Sequence, residues 1–209
     1  MQTGGLDLIT LDKKDGIWTV TINRPEKANS LTLKMLTELA EIAESASEAR
    51  AVILTGEGKV FSAGADLDEA RAGLAISGIW ERLSAAIADL PCITIAALNG
   101  TLAGGAMGMA LACDIRIAVP SAKFFYPVMK LGFLPQPSDP KRMSILIGPA
   151  RTKLILMGGQ KITAQEALDF GLVERLVLPD ELRAMALALC SDTVAADPKI
   201  AQGIKALCS

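Results

Sequence analysis

The chain has 209 residues, 51% hydrophobic and 21% charged, with a formal net charge of −2 and no histidine. A chain this apolar folds rather than staying disordered, and its length supports one sizeable core or two small ones. The weak negative charge without a basic run argues against nucleic acid or an anionic membrane as partner. The missing histidine excludes Ser-His-Asp and Cys-His catalysis and any histidine metal site.

Leu6 to Leu11 and Gly16 to Asn23 alternate apolar with polar residues around Asp15-Gly16, a strong hairpin signal. The start carries no basic-then-apolar pattern, so no secretory leader is expected and the cytoplasm is the expected compartment. Residues 24–29 read as a loop. Leu31 to Ala49 places Leu33, Leu36, Leu39, Ala40 and Ala43 at helical spacing. Ala51 to Thr55 is a short buried strand. Gly56-Glu57-Gly58-Lys59 then turns the chain; it lacks the spacing of a phosphate loop, and Val60 stands where Ser or Thr is needed. A loop of small residues, Val60 to Leu67, leads to a helix expected over about Gly73 to Asp89, with Trp80 and Leu83 on its apolar face.

Leu90 to Cys113 holds no charge. Cys92 to Leu98 reads as a buried strand, Asn99-Gly100 as a break, and Ala106 to Ala112 as a helix entered through Gly104-Gly105. Pro91, Asn99, Gly100, Gly104, Gly105 and Gly108 divide the run too finely for a membrane span. Glycines at a helix entrance let a ligand approach unpaired N–H groups closely, and an oxygen gaining negative charge suits that place. Glycines for tight packing are the plain alternative.

Ile115 to Val119 and Lys123 to Tyr126 read as strands. Asp139-Pro140 predicts a helix start with Asp139 as N-cap, and Gly148-Pro149 separates that helix from Arg151 to Met157. Thr163 and Glu166 form a capping box before Ala167 to Phe170. Leu172 to Leu178 reads as a strand; Glu181 to Ala195 and Pro198 to Leu207 read as helices. Cys92, Cys113, Cys190 and Cys208 are scattered and read as free thiols, Cys208 the exposed one. Strands and helices alternate, which predicts an α/β fold with one main core.

Four segments carry a resemblance. Arg24 to Leu31, Phe61 to Leu67, Asn99 to Asp114, and Ile162 to Ala167 with Gly171-Leu172-Val173 are similar, in order, to the crotonase or enoyl-CoA hydratase/isomerase family. The resemblance spans nearly the whole chain. It implies a spiral of ββα turns in a single domain over 1–209, with the core over about 1–178 and a helical part over 179–209 shorter than usual. It implies a homotrimer or dimer of trimers, and a coenzyme A thioester as substrate with no prosthetic group and no metal. By position it assigns the backbone N–H groups of Ala63 and Gly105 as oxyanion donors. Lys27, Ala28, Ala65, Asp66, Leu67 and Gly104 would flank the substrate, with Trp80 and Val128 in the acyl pocket. Asp66 reads equally as a loop or helix cap.

The two glutamates that move protons in the family's hydratases fall on Gly108 and Val128, and neither residue is an acid or base. Tyr126 is a candidate proton donor, with packing at a strand end as its plainer reading. Gln136 and Ser138 are candidates to orient a water or polar acyl group. Asp139 reads as a helix cap before a catalytic carboxylate, and Asp68 and Glu69 as solvated. The expected function is an acyl-CoA enzyme of the hydratase/isomerase type that stabilises a thioester enolate. A decarboxylase, a thioester hydrolase and a non-catalytic acyl-CoA-binding protein are the alternatives.

Overall fold

The computed structural model describes residues 7–208. Strands β1 (Ile9–Lys14) and β2 (Ile17–Ile22) form an antiparallel hairpin. Asp15 and Gly16 turn it with φ of 50° and 79°, the left-handed conformations that a two-residue hairpin loop requires. Leu6, expected at the start of this hairpin, lies outside the described residues.

Helix α1 (Leu33–Ser45) buries Met35, Leu36, Leu39, Ala40 and Ala43, and Thr32 caps it by accepting from Met35 N–H. The chain then enters β3 (Ala51–Gly56), β4 (Val60–Ser62), α2 (Leu67–Arg71) and α3 (Ile79–Ala88). The single helix expected from Gly73 is therefore broken. Gly73 sits at φ 107°, a 3-10 turn covers Leu74–Ile76, and regular helix begins at Ile79.

Next come β5 (Ile93–Leu98), β6 (Thr101–Ala103), α4 (Met107–Ala112), β7 (Ile115–Ala118), β8 (Lys123–Phe125) and the short α5 (Val128–Leu131). The segment α6 (Asp139–Leu156) consists of two helical stretches separated at Gly148, whose φ of 79° and ψ of 161° are not helical, as Gly148-Pro149 predicts. The chain ends in β9 (Ile162–Thr163), α7 (Ala164–Phe170), β10 (Arg175–Leu176), α8 (Leu182–Ala195) and α9 (Pro198–Leu207). The strand expected over Leu172 to Leu178 pairs only at Arg175 and Leu176, beside Ile117 and Ala118.

Successive turns of chain each lay one strand in a six-stranded sheet, β1-β2-β3-β5-β7-β10, and one in a four-stranded sheet, β4-β6-β8-β9. Apart from the two edge pairings, β1 with β2 and β8 with β9, all pairs are parallel. Strand alternation divides the large sheet's faces. Val20, Val52 and Leu54 meet Leu39 and Ile42 of α1, Leu83 of α3 and Met109 of α4. Thr19, Thr21, Ile53 and Thr55 look the other way, towards Leu182 and Ala186 of α8.

Cys92, Cys113 and Cys190 are buried free thiols and Cys208 is exposed. Burial pushes the Cys113 thiol up to about 12. No helix among the described residues is long and apolar enough to cross a membrane.

Candidate active site

A cavity of about 520 Å³ opens where the ends of β4, β6 and β8 meet α2 and α5. Its walls bring together Ala63 and Ala65 from the loop after β4, Leu67 at the start of α2, Gly104 and Gly105 from the turn after β6, and Trp80, Tyr126 and Val128. Leu131, Phe133 and Leu134 complete an apolar side that suits an acyl chain. Lys27, Ala28, Asp66 and Gln136 stand outside this lining. Lys27 is exposed.

The two small-residue loops pack backbone against backbone. A Cβ on Gly64, which sits at φ 91°, would stand 2.9 Å from Ala103 O. Two buried or half-buried amides bolt the loops to the β3–β4 turn. Asn29 Nδ2 donates to Glu57 O at 2.9 Å and Val60 O at 2.6 Å, and its Oδ1 accepts from Arg24 N–H at 2.8 Å. Asn99 Nδ2 donates to Gly58 O at 2.9 Å while its Oδ1 accepts from Gly56 N–H at 3.0 Å. Ser62 Oγ donates to Asn29 O and accepts from Gly64 N–H. None of these partnerships has a local sequence signal, and sequence reasoning missed both asparagines as organisers of the site.

The hydrogen bonds of the first loop correct one donor assignment. Ala63 N–H is engaged with Ala28 O at 3.0 Å. Leu31 pairs with the loop in parallel through Leu31 N–H to Gly64 O and Asp66 N–H to Leu31 O, both 2.8 Å. In extended backbone the intervening residue turns its N–H the opposite way. Ala65 N–H accordingly has no hydrogen-bond partner among the described residues. Gly105, assigned as the second donor, lies in the 3-10 turn Gly104–Ala106 that opens α4, where N–H groups have no intrahelical acceptor. A Cβ on Gly105 would lie 3.1 Å from three atoms of the Trp80 ring, so glycine is what lets the indole back this turn. Trp80 is fixed in place by donating Nε1–H to Leu74 O at 2.8 Å.

Asp66 caps α2, accepting from Asp68 N–H, and pairs with Arg24 at 2.8 Å. The Arg24 hydrogen bond first, then the cap, hold its carboxyl below the usual range. Both oxygens are thus committed, and the cap reading prevails over substrate contact. Asp68 is exposed as expected, whereas Glu69 accepts from Leu33 N–H at 2.6 Å and ties α2 to the start of α1.

Asp139 is the larger correction. Ser138 occupies the N-cap position of α6, and Asp139 is its first helical residue, with 0% exposure. The carboxyl turns inwards and accepts from the Tyr126 hydroxyl at 3.0 Å through Oδ2. Its Oδ1 has no partner among the described residues. Oδ1 fills space beside α4: a Cβ on Gly108 would stand 2.7 Å away. Ser138 bonds instead to Glu81 through its hydroxyl. Gln136 is buried against the same wall, its backbone N–H directed at the Tyr126 oxygen and its side chain at Ala75 O, 3.4 Å away. Burial, opposed by the Tyr126 hydrogen bond and supported by Glu81, raises the Asp139 carboxyl to about 6. Burial also pushes the Tyr126 phenol well above its ordinary value, Asp139 adding to the effect.

The profile of the enoyl-CoA hydratase/isomerase family matches residues 12–208. The short-chain-enoyl-CoA hydratase of Clostridium acetobutylicum is 37% identical over 206 residues, covering 92% of this chain and 77% of that protein. Among solved structures, Pseudomonas aeruginosa DspI superposes with a TM-score of 0.88 at 32% identity, covering 99% of this chain and 89% of that one. An enoyl-CoA hydratase from Bacillus anthracis gives 0.86 at 34% identity, covering 95% and 81%.

Proposed function

This chain belongs to the enoyl-CoA hydratase/isomerase family, and from that premise we propose that it binds an acyl-CoA thioester and stabilises its enolate. The thioester carbonyl lies between the N–H groups of Ala65 and Gly105, and the acyl chain lies along Trp80, Val128, Leu131 and Phe133. When a bond at the α-carbon breaks, charge moves onto the thioester oxygen. Two fixed N–H donors in an apolar cavity meet that charge without reorganising, and one such donor is typically worth about 3 kcal/mol of barrier.

The observation that carries this reading is the unpaired Ala65 N–H, left over when both neighbouring amides bond elsewhere, on a residue that lines the same cavity as Gly105. The exposed loop around Lys27 and Ala28 supplies an outer edge for the coenzyme A moiety. The assembly that goes with this reading is a homotrimer or a dimer of trimers.

Calorimetric titration with coenzyme A thioesters of graded acyl length tests the proposal. Affinity is expected to rise with acyl length and to exceed that for free coenzyme A. Gly105→Ala pushes the turn off the Trp80 ring and should lower turnover about 100-fold, the scale of losing one oxyanion donor. No binding of any thioester would refute the reading.

A further inference from the structure

We propose that Asp139 and Tyr126 form a single proton relay serving this cavity, and that it moves a proton between two carbons of one acyl chain, converting 3-enoyl to 2-enoyl thioesters. The inference deepens the function proposed above and rests on it.

Three observations made from different atoms meet here. Asp139 is fully buried, yet one carboxyl oxygen has no partner, an expensive arrangement that packing alone does not call for. That oxygen occupies room beside α4 that exists because residue 108 has no side chain. The other oxygen is reached from the cavity through one hydroxyl: Tyr126 lines the wall and bonds Asp139 at 3.0 Å. The groups acting on Asp139 are the neutral Tyr126 phenol from the segment after β8 and two charges, Glu81 from α3 and Arg142 one turn further along α6.

With Asp139 ionised, the single Tyr126 proton is donated inwards, so the phenol oxygen offers a lone pair to the cavity. The Cα–H bond of a 3-enoyl thioester breaks. Its proton joins the Tyr126 oxygen while the Tyr126 proton passes to Asp139 Oδ2, and the electron pair enters the dienolate held at the Ala65 and Gly105 amides. In the return step Tyr126 protonates the γ-carbon, a C2=C3 bond forms, and Asp139 gives its proton back to Tyr126. No atom is gained or lost, no oxidant or water is consumed, and tyrosinate never accumulates. A relay with one carboxyl suits this reaction because the same group takes and returns the proton. Tyr126 is the catalytic residue; Asp139 acts through it.

The test follows 3-hexenoyl-CoA isomerisation by the absorbance of the conjugated product across pH 5 to 9, with thioester affinity measured separately by calorimetry. The wild-type rate should climb with pH along one limb centred near 6, as the Asp139 carboxyl ionises. Asp139→Asn should lower the rate about 100-fold or more and abolish that limb, and Tyr126→Phe should lower it comparably. Both variants should bind the thioester within a few-fold of wild type. Should Asp139→Asn fail to fold, Tyr126→Phe decides alone. Thioester binding with no isomerisation by the wild type overturns the relay, as does a variant retaining both rate and limb. Loss of thioester binding in the wild type overturns instead the function on which the relay rests.

Discussion

Burial lifts the Asp139 carboxyl from an ordinary 3.8 to about 6, and this defines a pH window for stability as well as for chemistry. Between those values the native state keeps a proton that the unfolded chain has released. Stability therefore falls as pH rises from 3.8 to 6, and the full cost, about 3 kcal/mol, is present above 6. Asp139→Asn removes the ionisation, and its amide can still pair with Tyr126. Its melting temperature should exceed that of wild type at pH 8, and the difference should shrink to nothing near pH 3.5. A residue kept only for packing would show the reverse, a loss at every pH. The local sequence pointed elsewhere: Asp before Pro is a helix-start signal, and it correctly placed the beginning of α6. It could not reveal that Tyr126, 13 residues earlier, takes the carboxyl inwards.

Among the elements, the segment before α1 and the β3–β4 turn are joined by a polar side chain, Asn29. This residue is fully buried, sits at φ 53°, and holds the β3–β4 turn through both donors of its amide. Asn29→Ala would remove the partners of Glu57 O and Arg24 N–H, leave Val60 O only its longer bond from Asn99, and put a residue poorly suited to positive φ at position 29. A loss of about 3 kcal/mol is expected in denaturant unfolding, with weaker thioester binding as Ala65 loses its register. Elements whose signals are local were readable from sequence. The Asp15-Gly16 hairpin, the apolar repeat of α1, the strands β3 and β5, and the Thr163–Glu166 capping box are all present. Elements defined by distant partners were not. Only the bridge from Leu31 decides which amide of the first loop is left open, so sequence position pointed to Ala63 and the pairing to Ala65. The break at Gly73 and the two-residue β10 likewise depend on what packs beside them.

At the scale of the whole molecule, the spiral puts successive turns side by side, so the loops after β4 and β6 converge although 40 residues separate Ala65 from Gly105. The same winding leaves Met129 and Leu131 of α5, Leu134 of the following loop, Ile145 of α6 and Met157 just after it largely exposed. A trimer or paired trimers would cover surface of this kind. Light scattering is expected to give three or six times the 21.9 kDa chain mass, and a stable monomer would contradict that assembly. Helix α9 packs beside α8 and closes on the segments that lead into β5 and β7. Lys205 of α9 reaches Asp114 Oδ2 and Cys92 O, each at 2.8 Å, and the same Asp114 oxygen accepts from Thr94 N–H and hydroxyl. Helix α9 has no fully buried side chain, so a half-buried ion pair is a principal clasp for it. Such clasps slacken as mobile ions crowd in. Ionic strength thus becomes a dial on how firmly the last helix seats, and through Asp114 on how tightly β5 is tied to the end of α4, the helix that follows the Gly104-Gly105 turn.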